Sequence, residues 1–137
     1  HLMGDHVLKN SAEIIEREMR KTDIVARFGG EEFMVMLPGM TGEDSCPVAE
    51  RIRKSFEQAV IETPEGEIVP ITTSVGVTEY VPGETIQTTM KRADDLLYQA
   101  KEQGRNRVFY QYLADGESVN GSSGDGKAQT ASAPAAG

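Results

Sequence analysis

Apolar positions along the chain fall into runs of two different periods. Over residues 5–20, Val7, Leu8, Ala12, Ile14, Ile15 and Met19 recur near helical spacing with charged residues between them, which predicts a first helix. The period then changes. DIVARF and EEFMVML are two β-rich runs on either side of Gly29-Gly30, and glycine supplies the positive φ that a tight reversal needs, so a hairpin is predicted, closed by Pro38-Gly39. Helical spacing returns in Val48, Ala49, Ile52, Phe56 and Ala59, giving an amphipathic helix over about 43–58. VIETPEGEIV predicts a small second hairpin turning at Pro64–Gly66. ITTSVGVTEY alternates and is β-branched, as a strand requires. Met90, Ala93, Leu96, Leu97 and Ala100 form one stripe of a third helix over 86–103, and Gly104 stands where a left-handed helix stop belongs. RVFYQYL supplies a last strand. The order α-ββ-α-ββ-β-α-β predicts an α/β or α+β sandwich, with helices packed on a sheet.

From residue 113 onward the pattern stops. LADGESVNGSSGDGKAQTASAPAAG contains hardly any large apolar side chain, so it cannot bury enough surface to offset its ordering entropy. The expected division is a folded domain over 1–112 and a disordered tail over 113–137. The 137-residue length allows one domain, and 38% hydrophobic with 26% charged residues fits a globular chain. The net charge is −8, of which the tail carries −2 (Asp115, Glu117, Asp125 and Lys127), leaving −6 on the folded part. That acidity argues against binding a nucleic-acid polymer, which relies on Lys and Arg neutralising phosphates. It leaves room for a small phosphate ligand held by a few basic groups and a metal. The single cysteine, Cys46, forms no intrachain disulfide, which fits a reducing compartment. No apolar run approaches the roughly 18 residues of a membrane span, so no membrane contact is expected of this segment.

The chemistry concentrates at Gly29-Gly30-Glu31-Glu32-Phe33. Two glycines remove side chains where the chain reverses, so a ligand can approach the backbone. Two carboxylates follow at once and point to opposite faces if both are in a strand. Hard oxygen ligands beside an open backbone suit Mg²⁺, which binds through one or two carboxylates plus substrate phosphates. Taken alone, the same letters also describe a plain hairpin with solvated glutamates.

The wider sequence resembles the GGDEF family of diguanylate cyclases in its GGEEF form. A His-x-x-Gly-Asp-x-x-Leu run is matched by His1, Gly4, Asp5 and Leu8. Arg-x-x-Asp, five residues before the signature, is matched by Arg20 and Asp23, and the Arg two before the glycines is Arg27. Ala-Glu-Arg-Ile-Arg appears as Ala49–Arg53, and Thr-x-Ser-Val-Gly-Val as Thr72–Val77. The closing Ala-Asp-x-x-Leu-Tyr-x-Ala-Lys-x-x-Gly-Arg-Asn is Ala93–Asn106. These motifs span essentially all of 1–112 in family order.

The resemblance implies a nucleotidyl-cyclase, palm-like sheet flanked by helices. It implies condensation of two GTP into cyclic di-GMP with release of two pyrophosphates, by a homodimer using Mg²⁺ or Mn²⁺ in a bacterial cytoplasm. It assigns Glu31 to metal binding and catalysis, and Glu32 to a supporting catalytic role. Gly29 and Gly30 contact the nucleotide, Asp5 accepts from the guanine edge, Leu8 lines that pocket, and Lys101 and Arg105 take the terminal phosphates. Arg20 and Asp23, with Arg51, correspond to an inhibitory site for the product. Simpler roles remain open for several of these. Asp5 can serve as an acidic group at a helix start, Lys101 and Arg105 as cations at a helix end, and Arg20–Asp23 as an i,i+3 ion pair. The resemblance also implies that the family's opening strand, with a metal-binding Asp and a Phe-Lys-x-x-Asn-Asp run, lies outside this sequence. The expectation is therefore a poor catalyst or none by itself, with apolar faces partly uncovered. The alternative function is a catalytically silent module that binds cyclic di-GMP or GTP.

Overall fold

A computed structural model describes residues 2–124 and 127–133, with residues 2, 3 and 127–133 described by their backbone alone. In chain order the elements are α1 (Leu2–Arg17), β1 (Ile24–Arg27), β2 (Phe33–Met36), α2 (Gly42–Gln58), β3 (Ile61–Glu62), β4 (Ile68–Val69), β5 (Val75–Thr78), α3 (Ile86–Glu102), β6 (Val108–Ala114), β7 (Glu117–Gly124) and β8 (Lys127–Ala133). The strands form three sheets among the described residues: β1-β2, β3-β4 and β5-β6-β7-β8. Strands β5 and β6 run parallel, joined through α3, and the other neighbours are antiparallel.

Local chemistry explains the helix limits. Thr41 caps α2 by accepting the Asp44 N–H, and Thr85 caps α3 by accepting the Thr88 N–H. At the far end of α3, Gly104 has φ 118°. Its N–H reaches Lys101 O at 3.4 Å, and the Arg105 N–H reaches Ala100 O at 2.9 Å, the paired closure of a Schellman stop. The first helix ends at Arg17, short of the expected residue 20. There the Arg20 N–H turns onto Asp23 Oδ2 at 2.7 Å, a local bond that competes with helix continuation. Only Val75–Thr78 of the expected ITTSVGVTEY strand pairs with a neighbour.

Helix α2 is the common cover. Its Val48, Ile52 and Phe56 pack with Ile14 and Ile15 of α1 against Val25, Phe33, Val35 and Leu37 of the β1–β2 ribbon and its exit. Ala49, one position round the helix, joins Val77, Val108 and Tyr110 from β5 and β6. Helix α3 packs on the larger sheet with Leu96 and Ala100 buried. It approaches β5 so closely that a Cβ at Gly76 would strike Ala93 O and lie 2.6 Å from Leu97 N.

The segment expected to be a disordered tail from 113 differs most. Within it, β7 pairs along β6 from Val108↔Ser123 to Ala114↔Glu117, and β8 pairs along β7. Asp115 (φ 52°) and Gly116 (φ 79°) make the two-residue turn. Two successive left-handed residues match the twist of a hairpin, and Asp-Gly is the pair that adopts them most readily. Val119 reaches the core beside Val108 and Tyr110, and Ser118 is buried. Residues 125–126 and 134–137 of that expected tail lie outside the described residues.

Candidate functional site

The Gly29-Gly30 reversal lies between β1 and β2. Gly29 has φ 102° and Gly30 φ 53°, and a Cβ at either position would meet open space. Both glycines are therefore required by backbone conformation and not by crowding. The Phe28 N–H donates to Glu32 O at 2.8 Å and the Glu32 N–H to Gly29 O at 3.0 Å, which closes the turn. Arg27 braces it from outside, its Nε donating to Gly30 O at 3.1 Å. The turn is solvent-facing, and Glu31 is exposed at its tip.

The last turn of α3 comes to meet this reversal. Lys101 Nζ lies 3.7 Å from Glu32 Oε1, so a basic residue 69 positions away shares the glutamate's surroundings. Arg105 follows on the exposed stop of the same helix, its backbone N–H fixed on Ala100 O. The arrangement places a carboxylate, an open backbone and the Lys101 cation together on an accessible surface. That donor set fits a hard divalent ion shared with a phosphate, because Glu31 offers one exposed carboxylate and the phosphates supply further oxygens. Among the described residues, no group of three or more His, Cys, Asp and Glu side chains could hold a metal by itself.

Asp5 and Leu8 lie on α1, Asp5 exposed in the first turn and Leu8 half-buried. No hydrogen bond or ion pair joins either to the glycine turn among the described residues. Their helix is tied instead to the β3–β4 hairpin, where His6 Nε2 lies 2.6 Å from Glu62 O.

A second constellation forms at the α1–β1 connection. Arg20 donates through Nε and Nη2 to Asp23 Oδ1, at 3.0 and 2.6 Å, and through Nη2 to Pro38 O at 2.9 Å. These bonds hold the Asp23 carboxyl below the ordinary carboxylate range and raise the Arg20 guanidinium. Asp23's side chain is only 2% exposed, whereas that of Arg20 is 48% exposed and presents its remaining donor edge outward. Arg51 projects from α2 with Nε on Glu18 Oε1 at 3.1 Å, two residues before Arg20. Glu18 thus anchors the second arginine of the set.

Three features of these regions have no signal in the hydrophobic pattern. They are the Arg27 brace, the Glu18–Arg51 link, and a cluster of buried Arg53 with Glu57 and Asn106 beside Arg105. Motif letters did mark Arg27, two residues before the glycines, Arg51 and Arg53 in Ala49–Arg53, and Asn106 at the end of Ala93–Asn106, whereas nothing marked Glu18 or Glu57.

Comparison with known proteins gives a consistent answer. The family model described as "Diguanylate cyclase, GGDEF domain" matches residues 1–107. Diguanylate cyclase A of Treponema denticola is 44% identical over 109 residues, covering 79% of this chain and 29% of that protein. Diguanylate cyclase DgcM of Escherichia coli is 41% identical over 109 residues, covering 80% of this chain and 26% of that protein. The chain therefore spans between a quarter and a third of these relatives' length. The crystal structure of the GGDEF domain of DgcB from Caulobacter crescentus, in complex with c-di-GMP, superposes with a TM-score of 0.76 at 35% identity, covering 80% of this chain and 66% of that one. By sequence over residues 1–107 and by the mixed helix-and-sheet fold that carries the glycine turn, this chain belongs to the GGDEF family.

Proposed function

We propose that this chain is the GTP- and product-binding portion of a diguanylate cyclase, which condenses two GTP into cyclic di-GMP and two pyrophosphates. The observation that carries the reading is the meeting of α3's basic end with the Gly29-Gly30 reversal, Lys101 lying 3.7 Å from Glu32. Two subunits would each hold one GTP. The 3′-oxygen of one nucleotide bonds to the α-phosphorus of the other, the Pα–O bond to the β-phosphate breaks, and pyrophosphate leaves with the electron pair while the hydroxyl proton passes to a base. The second, symmetric step closes the ring.

The chain's own residues position and neutralise. The exposed backbone at Gly29 and Gly30 admits the nucleotide. Glu31 would hold Mg²⁺ or Mn²⁺, which when bound supplies positive charge to the phosphates. Lys101 and Arg105 take the terminal phosphates, and Glu32 orients Lys101. Asp5 accepts from the guanine N–H edge in a pocket lined by Leu8. Catalysis is proposed to occur in a homodimer in a bacterial cytoplasm. No helix among the described residues is long and apolar enough to cross a membrane.

Arg20, Asp23 and Arg51 form the proposed product-inhibition site. The remaining Nη1 of Arg20 can donate to phosphate or guanine acceptors, and Asp23 fixes the guanidinium plane. One observation favours the second reading, a silent binding module: these three residues are already held in place within this one chain by Pro38 O and Glu18. Turnover of GTP with Mg²⁺, measured beside cyclic di-GMP binding by calorimetry, separates the two. Arg20→Ala should weaken product binding by roughly tenfold, the loss of one charge-assisted contact and of the guanidinium that fixes Asp23. An unchanged product affinity would reject the site. Product binding without turnover by the complete parent protein would favour the silent module.

A further inference from the structure

Three successive residues leave α3 in left-handed conformation: Gly104 at φ 118°, Arg105 at 63° and Asn106 at 48°. The helix stop itself requires only Gly104, whose N–H and that of the next residue close the Schellman bonds. Arg105 and Asn106 are surplus to it, and a side chain at positive φ carries a steric cost that something must hold in place. The holder is visible beneath them. Asn106 Nδ2 donates to Glu57 Oε2 at 2.6 Å, and Asn106 Oδ1 accepts from Arg53 Nη1 at 3.0 Å. Arg53 Nη1 and Glu57 Oε2, 3.4 Å apart, close the ring. The side chain of Arg53 is 4% exposed. Its Nε is taken by Glu50, whose other oxygen accepts from Ser123 of β7. Gly124 lies over the cluster so closely that a Cβ there would come within 2.9 Å of Arg53 Nε.

The clamp therefore joins α2, the α3–β6 turn and β7 around one amide. Between its fixed points sits Arg105. Its N–H is bound to Ala100 O and its carbonyl accepts from Arg107 Nε at 3.0 Å, while its side chain is exposed. We propose that Asn106, clamped by Glu57 and Arg53, is a positioning residue for Arg105, fixing the strained backbone from which that guanidinium reaches the terminal phosphates of GTP. The inference rests on the nucleotide reading above and deepens it. The clamp makes the site selective for a nucleoside triphosphate over a monophosphate, since Arg105 senses only the distal phosphates.

The test measures dissociation constants for Mg²⁺-GTP and for GMP, by NMR titration of this chain and its variants. Asn106→Gly keeps the positive φ accessible but deletes the clamp. It should weaken GTP binding roughly tenfold, as a misplaced contact does, and leave GMP unchanged. In an Arg105→Ala background the same substitution should cost nothing further. Glu57→Ala, at a carboxylate 46% exposed, covers the case in which Asn106→Gly fails to fold. It should give a smaller loss in the same direction, and Glu57→Gln, which still accepts from Asn106, should restore affinity. Equal losses for GTP and GMP, an undiminished cost in the Arg105→Ala background, or unchanged GTP affinity in folded variants would each overturn the clamp alone. If the unsubstituted chain binds no GTP, the nucleotide reading falls and takes the clamp with it.

Discussion

Glu84 is gripped by four hydrogen bonds from three residues. Arg92 donates through both terminal nitrogens, at 2.9 and 2.7 Å, Thr89 Oγ1 adds a bond at 2.6 Å, and the Val81 N–H another at 2.9 Å. Led by the Arg92 bonds, these hold the carboxyl at about 2, below its ordinary 4.5. A carboxylate depressed on folding stabilises the fold fully above its unfolded value and loses that contribution as pH falls toward the folded one. Glu84→Gln should therefore lower the melting temperature at pH 7, with the gap to the unsubstituted chain closing between about pH 4.5 and 2. A gap that stays constant across that pH series, followed by circular dichroism, would show that the charge is not the source. No periodicity marks Glu84, and none marks the bond between Asn106 and Glu57, 49 positions apart. Such pairs are set by where helices and turns end in space, which single-sequence spacing does not encode. The glycine turn was legible from the β-rich runs on either side of it, Lys101 only because motif letters singled it out. Their approach is a tertiary fact.

At the scale of elements, helices were the most legible because their limits are chemical. Thr41, Thr85 and Gly104 sit where caps belong, and α2 and α3 end within a residue of expectation. The segment after β6 was misjudged for an equally physical reason. Its scarcity of apolar residues argued for disorder, and that reading on composition took no account of the Asp115-Gly116 pair, a strong short hairpin cue. The edge of β6 supplies the missing incentive, since a strand laid along it satisfies backbone groups that would otherwise face solvent. Val119 and Ser118 turn onto the core, and Ser123 Oγ donates to Glu50 of α2. Deleting residues 115–137 should then destabilise the domain by on the order of 2 kcal/mol, from lost apolar burial and hydrogen bonds around Arg53. Chemical denaturation checks this. Coincident unfolding curves would mean that β7 and β8 add nothing and that the domain is complete by residue 112.

For the whole molecule, the decisive feature is one helix covering two sheets. Helix α2 packs on both the β1–β2 ribbon and the β5–β8 sheet, yet no ladder joins the two among the described residues. The ribbon is apolar on both faces. Val25, Phe33 and Val35 turn toward α1 and α2, while the cross-strand pairs Ile24↔Met36 and Ala26↔Met34 turn away. The runs DIVARF and EFMVML already carried this information, because a strand with no polar alternation is built to be covered twice. Among the described residues one cover is present: Ile24 is 52%, Phe28 57% and Met36 43% exposed. An apolar patch of that kind draws dyes and other copies. The chain should bind anilinonaphthalene sulfonate in its folded state and sediment faster as its concentration rises. Replacing Ile24 and Met36 together by threonine keeps β-propensity and leaves the α2-facing side untouched. That double variant should lose most of the dye fluorescence and the concentration dependence, with its melting temperature nearly unchanged. If dye binding persists at full strength, the exposed surface lies elsewhere, and the outer face of the ribbon is not where this fold is open.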